Sequence, residues 1–208
     1  KKAFQFLRSD DPRTKRDGEN YIPTDQLYVL SPDGQQIMLK KARRFTRSEM
    51  MVMEMLSTNE WNRPMYFATT IGSDYHLGLD PYLELTGMAY RITPTRSADG
   101  RPRVNTEVMY DNMMNKFRYG NVNKPGIYLD ENTLRMCRTH RMMFSELAEA
   151  LYEEGKYEQA IAVLDYAEEM LPGYNVSYDY TSASMAALYY TLGEMEKGSA
   201  IMDKVAAN

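Results

Sequence analysis

The stretch Leu147–Pro172, LAEALYEEGKYEQAIAVLDYAEEMLP, sets the architecture of the C-terminal part of the chain. Its apolar residues recur at helical spacing on both sides of Gly155, so it reads as a helix, a tight turn and a second helix. Leu151 closes the first helix on its apolar face, and Tyr157 opens the second. Ala160 stands where two such helices would approach most closely, Leu164 and Ala167 continue that face, and Pro172 stops it. A pair of this kind cannot bury its apolar face alone and has to stack on a neighbour.

Helix, turn and helix with small residues at the crossing is the pattern of a tetratricopeptide repeat. A poorer copy follows, in which Tyr189, Gly193, Met195, Gly198 and Met202 echo Leu151, Gly155, Tyr157, Ala160 and Leu164. The two glycines lie 38 positions apart, four more than the ~34-residue period, and the extra residues fall at Pro172-Gly173-Tyr174-Asn175. Two copies are fewer than the three or so that an independent array needs. Two readings stay open: the helices only pack onto the rest of the chain, or they form a groove that holds a partner.

Upstream, Asp130 to about Glu153 is strongly helical, with one stripe of Leu134, Cys137, Phe144, Ala148 and Leu151 and a second of Met136, Met143, Leu147 and Ala150. Two stripes imply neighbours on both sides. Residues 1–129 mix strand and helix signals. Leu27–Leu30 and Gln36–Leu39 flank Ser31-Pro32-Asp33-Gly34, a β-hairpin signature. Thr46-Arg47-Ser48-Glu49 is a capping box, predicting a helix to about Thr58 with Met50, Met53 and Leu56 on one stripe. Asn62-Arg63-Pro64 ends it, and Met65–Ile71 reads as a central strand buried on both faces. Met88–Thr93 is a second strand signal, and a helix is expected from Asn105 to about Tyr119. Residues 1–24 read as a polar arm or loop. The expected fold is α+β: a small β-sheet with flanking helices over residues 1–129, then a TPR-like antiparallel helical tail over 130–208.

Composition narrows the function. The 208 residues carry 25 basic against 29 acidic side chains, net charge -4, which disfavours non-specific nucleic-acid binding. No run approaches 18 apolar residues, so no membrane-spanning helix is expected within these residues. The chain begins Lys1-Lys2 without an initiator Met or an apolar signal region, as expected for a piece of something longer or a processed product. One cysteine, Cys137, excludes an intramolecular disulfide.

Candidate chemistry is sparse. Asp10, Asp11, Asp17 and Glu19 could meet a cation but miss the calcium-loop spacing, and Arg13, Lys15 and Arg16 interleave them. Ser73, Asp74 and His76 are triad residue types with no nucleophile-elbow signature around them. Cys137 and His140 lie three apart on a helix without two further metal ligands. No Gly-rich phosphate loop appears. No cofactor, metal or catalytic residue is expected. Trp61, Asn62 and Arg63 precede the strand at Met65, and Tyr75 and Tyr82 flank the loop after it. Aromatics with Asn and Arg at a strand end suit a sugar or peptide ligand. The alternative is that Trp61 plugs the core and Arg63 pairs with an acidic loop.

NEWNRPMYFATTIGSDYHLGLDPYLELTGMAYRITP (Asn59–Pro94), VNTEVMYDNMMNKFRYGN (Val104–Asn121), KPGIYLDENTLRM (Lys124–Met136) and RSDDPRTK (Arg8–Lys15) carry a resemblance. Together they resemble the C-terminal soluble region of glycosyltransferase family 117, bacterial membrane proteins similar to protein O-mannosyltransferases. The resemblance implies an excised extracytoplasmic, periplasmic domain whose transferase chemistry lies in an absent membrane part. It carries no catalytic residue onto this chain. The implied role is a non-catalytic accessory domain that positions an acceptor protein, a glycan or the membrane part itself. Two other roles stay open: a TPR-type scaffold for a helix or extended peptide, and a stand-alone hydrolase using the Asp74–His76 loop.

Overall fold

The capping box at Thr46 forms as the sequence dictates. Glu49 Oε2 accepts from the Thr46 amide at 2.7 Å, and Thr46 Oγ1 accepts from the Glu49 amide at 3.3 Å. Helix α1 (Arg47–Asn59) follows, in a computed structural model that describes residues 27–40 and 45–207, plus the backbone of two short paired strands, β1 (Lys15–Arg16) and β2 (Glu19–Asn20). The expected hairpin is present as β3 (Tyr28–Leu30) and β4 (Gln36–Met38), with Val29 opposite Ile37. Its turn closes through the Gly34 amide on the Ser31 carbonyl at 2.9 Å, and Gly34 takes the φ of 84° that a side chain would resist.

A four-stranded sheet runs in the order β5 (Tyr66–Ala68), β7 (Ala89–Ile92), β6 (Leu83–Leu85), β8 (Arg103–Val104). Neighbours β5–β7 and β6–β7 pair antiparallel. Here the expectation of a central strand fails. β5 is three residues long and lies at the sheet edge, with Phe67 buried and Tyr66 and Ala68 exposed. Continuous apolarity misled because the strand itself is only Tyr66–Ala68: Ile71 lies in the loop that follows, and Met65, just ahead of the strand, adds one further bond by accepting from the Ile92 amide. Phe67, Leu83 and Ile92 join Val29, Ile37, Met53 and Leu56 in one apolar cluster.

Contacts divide the chain into two compact units. One holds residues up to Leu85 together with Ala89–Arg103, and the other holds Thr86–Met88 and Val104 onward. This grouping differs from the expected division at 129/130, since the helical stretch after Asn105 groups with the tail. Asn105 caps α2 (Thr106–Tyr110) by accepting from the Val108 amide at 3.0 Å, and a π-helical turn continues to Lys116.

The second unit holds two helix pairs, α3 (Glu131–Glu153) with α4 (Tyr157–Met170) and α5 (Ser182–Thr191) with α6 (Met195–Ala206). Their turns match bond for bond. The Lys156 amide donates to Leu151 O at 2.8 Å and Gly155 to Tyr152 O at 2.9 Å; Glu194 donates to Tyr189 O at 2.9 Å and Gly193 to Tyr190 O at 3.1 Å. Both are Schellman turns, with the left-handed φ supplied by Gly155 and Gly193. Leu151, Ala160, Leu164, Ala167, Pro172 and Tyr189 are buried, whereas Tyr157 is exposed and rests its ring 5.3 Å from Tyr152. The echo of Leu164 shifts by one residue: Ile201 is buried and Met202 is exposed. Met136 in the second stripe of α3 is exposed as well.

Arg141 of α3 is fully buried and feeds the connection between the pairs. Its Nη2 donates to the carbonyls of Leu171 (2.7 Å) and Val176 (2.8 Å), and its Nη1 to Ser177 O (3.1 Å) and Ser182 Oγ (3.3 Å). Tyr178 lays its ring 4.9 Å from the guanidinium and donates its hydroxyl to Glu168.

Three stability outcomes are expected. A Cβ on Gly198 would stand 2.8 Å from the Tyr190 ring and 3.0 Å from Ala186 O, so Gly198→Ala, like Ala160→Leu, should cost about 1–3 kcal/mol in urea unfolding. Arg141→Met leaves the Leu171, Val176 and Ser177 carbonyls unpaired and should cost about 3–5 kcal/mol, with Arg141→Lys recovering little because an ammonium cannot reproduce the planar fork. Glu49 is held below its ordinary carboxylate range, first by Lys40 and then by the Thr46 amide. A lowered folded value means its contribution is present above the unfolded value of about pH 4.3 and is lost as pH falls below it. Glu49→Gln should therefore lower the melting temperature at pH 7, with the gap to the parent protein narrowing in scans at pH 3.

Candidate functional site

α1 and the edge strand β5 frame a hollow of about 540 Å³ within the first unit. Val52 and Met55 line it from α1, Met65, Tyr66 and Phe67 from β5 and its lead-in, and Thr70, Ile71, Gly72 and Tyr75 from the loop that follows. The spacing of 52 and 55 puts both side chains on one flank of α1, beside the face that carries Met53 and Leu56 into the core. Three consecutive residues, 65 to 67, line the same space. Side chains of a strand alternate between faces, so the hollow runs along the strand's outer edge rather than over one face.

The walls are largely apolar, with Met55 48% and Tyr66 52% exposed. Glu49 contributes a carboxylate at one end, but Lys40 pairs with it and the capping box occupies its oxygens, so it offers little free charge. Size, apolar lining and sparse polar groups are those of a small-ligand or peptide-anchoring cleft.

A second, shallower hollow of about 600 Å³ adjoins it, and Met55 and Met65 line both. Asn62, Arg63, Thr58 and Asn59 give this extension a polar rim. Its loop is rigidly tied. Asn59 donates Nδ2 to Arg63 O at 2.7 Å and accepts from the Arg63 amide at 3.2 Å. Glu60 and Trp61 both adopt positive φ, 46° and 63°, a strained choice for residues with side chains. Trp61 anchors that geometry by donating Nε1 to Leu30 O at 2.6 Å.

Of the five residues singled out for ligand binding, Asn62, Arg63 and Tyr75 thus lie on these two adjoining hollows. Trp61 is spent on holding the β3–β4 hairpin and packs against its core. Tyr82 lies elsewhere, in a separate polar hollow with Asp33, Gln36 and Arg96. The residues that do most of the lining, Val52, Met55, Met65 and Ile71, carried no chemical signal in the sequence. Only the capping box, by fixing the phase of α1, could have indicated which flank they share.

His76 is 4% exposed, its Nδ1 is 2.9 Å from Asp80 Oδ1, and its ring packs 5.1 Å from Phe67 and 5.8 Å from Tyr90. Its carboxylate partner is Asp80, not Asp74, whose carbonyl instead takes Lys40 Nζ at 3.3 Å. Cys137 is buried, and burial raises its thiol pKa; His140 Nδ1 lies 2.8 Å from the Met136 carbonyl. Among the described residues no group of three or more His, Cys, Asp and Glu could hold a metal ion. Asp10, Asp11 and Asp17 lie outside the described residues, as does the side chain of Glu19. Among the described residues, no helix is long and apolar enough to cross a membrane.

No curated protein and no solved structure matches the chain. Residues 29–112, less than half of the sequence, match the family model described as TMEM260-associated domain 2. That segment contains the β3–β4 hairpin apart from Tyr28, with α1, β5 to β8 and every residue lining the two adjoining hollows.

Proposed function

We propose that this chain is a non-catalytic accessory domain of a membrane glycosyltransferase and that the cleft between α1 and β5 holds the acceptor, protein or glycan, on the extracytoplasmic side. The observation that carries the reading is the 540 Å³ apolar cleft, open to solvent and continuous with a polar rim at Asn62 and Arg63. Support for the enzyme class comes from the family match, since TMEM260 is a protein O-mannosyltransferase. It also comes from the resemblance to family 117, and the periplasmic location is proposed on that resemblance alone. The chemistry of transfer would lie outside these residues. His76, the one buried histidine with a carboxylate neighbour, serves here as a core residue between Phe67 and Tyr90.

A second reading rests on the repeated Schellman turn. It presents Tyr157 and Met195, both exposed, at matching positions of a two-copy helical tail of the kind that holds peptides. One experiment separates the two. Binding of unfolded peptides and of mannose-containing oligosaccharides to the 208-residue chain is measured by calorimetry. Under the first reading, Met55→Glu or Tyr75→Ala weakens binding about tenfold or more and Tyr157→Ala does not. The opposite pattern supports the helical tail. Failure of both ligand classes to bind overturns the acceptor-holding role.

A further inference from the structure

The cleft is bounded by a strand that has backbone to spare. In an antiparallel ladder, alternate residues exchange both bonds with the partner strand and those between them point outward. The Ile92 amide donates to Met65 O at 2.9 Å, so Met65–Ile92 is a bonded pair and Phe67–Tyr90 is the next. Tyr66 and Ala68 therefore direct their N–H and C=O groups away from β7. The Ala68 carbonyl is taken by the Ile71 amide at 3.0 Å. That leaves the Tyr66 N–H, the Tyr66 C=O and the Ala68 N–H along the outer edge, beyond which no strand of the sheet lies among the described residues.

We propose that the open edge of β5 takes an extended peptide as a fifth strand of the sheet, with alternate side chains of that peptide seated between Val52, Met55, Ile71 and Tyr75. The proposal rests on the reading of this cleft as the acceptor-holding site and specifies the acceptor as unfolded polypeptide. Three features select this occupant. Only an extended backbone offers donors and acceptors at the spacing the edge presents, whereas a helix spends its own internally. The hollow beside the edge is apolar and accepts side chains, which a glycan does not supply. Its one ionised group, Glu49, is already paired with Lys40, so the cleft suits an electrically neutral backbone rather than an anionic ligand.

Two of the usual devices against unwanted edge pairing operate here in weak form. β5 is short, and Arg63-Pro64 lies just ahead of it. Neither covers Tyr66 or Ala68. A short edge limits non-specific pairing, and the side-chain hollow restores affinity for a chosen segment.

The test uses a soluble peptide of about eight alternating threonines and valines with a lysine at each end, long enough to match a typical strand. A second peptide of the same sequence is N-methylated at alternate amides. Binding is followed by calorimetry and by amide hydrogen exchange of the 208-residue protein. The expected result is that the first peptide binds and slows exchange at Tyr66 and Ala68 at least tenfold, leaving Phe67 unchanged because its amide is already bonded to β7. N-methylation should weaken binding about fivefold or more, through the lost backbone bonds. Ala68→Pro, which removes an outward N–H and no ladder bond, should do the same. If that variant fails to fold, the two peptides on the unaltered protein still decide. Equal affinity for both peptides, or binding without protection of Tyr66 and Ala68, overturns the proposal. Protection that rises with protein concentration and no peptide overturns it in favour of a second copy of the chain at this edge. If only oligosaccharides bind, and Met55→Glu abolishes that binding, strand addition falls while the accessory-domain reading stands.

Discussion

Irregular backbone buried in this protein has to find hydrogen-bond partners, and in each unit a few side chains supply them. Arg141 is the strongest case. The connection between α4 and α5 leaves the carbonyls of Leu171, Val176 and Ser177 without helical or sheet partners, and one guanidinium takes all three together with Ser182 Oγ. An orphaned buried carbonyl costs on the order of 1–3 kcal/mol, so the two at buried Leu171 and Val176 outweigh any single apolar contact nearby. The two helix pairs can be joined by a loop with a buried stretch because α3 carries its cap for them. The first unit ties down backbone in a similar way, at the surface as well as in the core. Trp61 Nε1 satisfies Leu30 O, Asn59 ties both backbone groups of Arg63, and the Lys40 amide takes Leu77 O at 2.7 Å.

Burying Arg141 carries its own electrostatic cost, visible in the direction its neighbours move. Burial pushes the guanidinium pKa down and the Glu168 carboxyl pKa up, while each charge favours the other's ionised form. Tyr178 lies between them, its ring on the guanidinium and its hydroxyl on the carboxylate, and burial followed by that hydrogen bond raises its own pKa. The arrangement does not gain stability from attraction alone; the hydrogen bonds to backbone decide the balance. Gly173 sits against this ring, where a Cβ would collide with Tyr178, so the loop glycine is fixed by the tyrosine rather than by its own dihedral angles.

Parts of the fold governed by local rules could be read from the chain. The capping box at Thr46, the turn at Gly34, the helix start at Asn105 and the turns at Gly155 and Gly193 each encode their geometry within six residues or fewer. Strand position was not legible, because Met65–Ile71 has the composition of a central strand and only the pairing partners show that Tyr66 and Ala68 face an edge. Arg141 was invisible for a related reason. It sits among Arg135, Arg138 and His140 in a helix that looks polar on that flank, and its acceptors come from 30 and more residues downstream. The candidate site fared in between. Asn62, Arg63 and Tyr75 were marked by residue type, while the apolar wall that gives the cleft its volume reads as ordinary core spacing.

The constraint that explains Arg141 also explains why β5 stands apart. At the α4–α5 connection, at Arg63 and at Leu30 the chain spends a side chain to cover backbone groups. At the Tyr66 N–H and C=O and the Ala68 N–H it spends none, beside the exposed side chains of Met55, Tyr66 and Tyr75. Covering that edge would have been simple in physical terms, since a charged residue at 66 or a proline at 68 suffices to blunt a short strand. An open edge and an apolar hollow each have a bland explanation taken alone. Side by side they form one surface with two complementary demands, hydrogen bonds along the strand and apolar contact across it, and an extended polypeptide meets both at once.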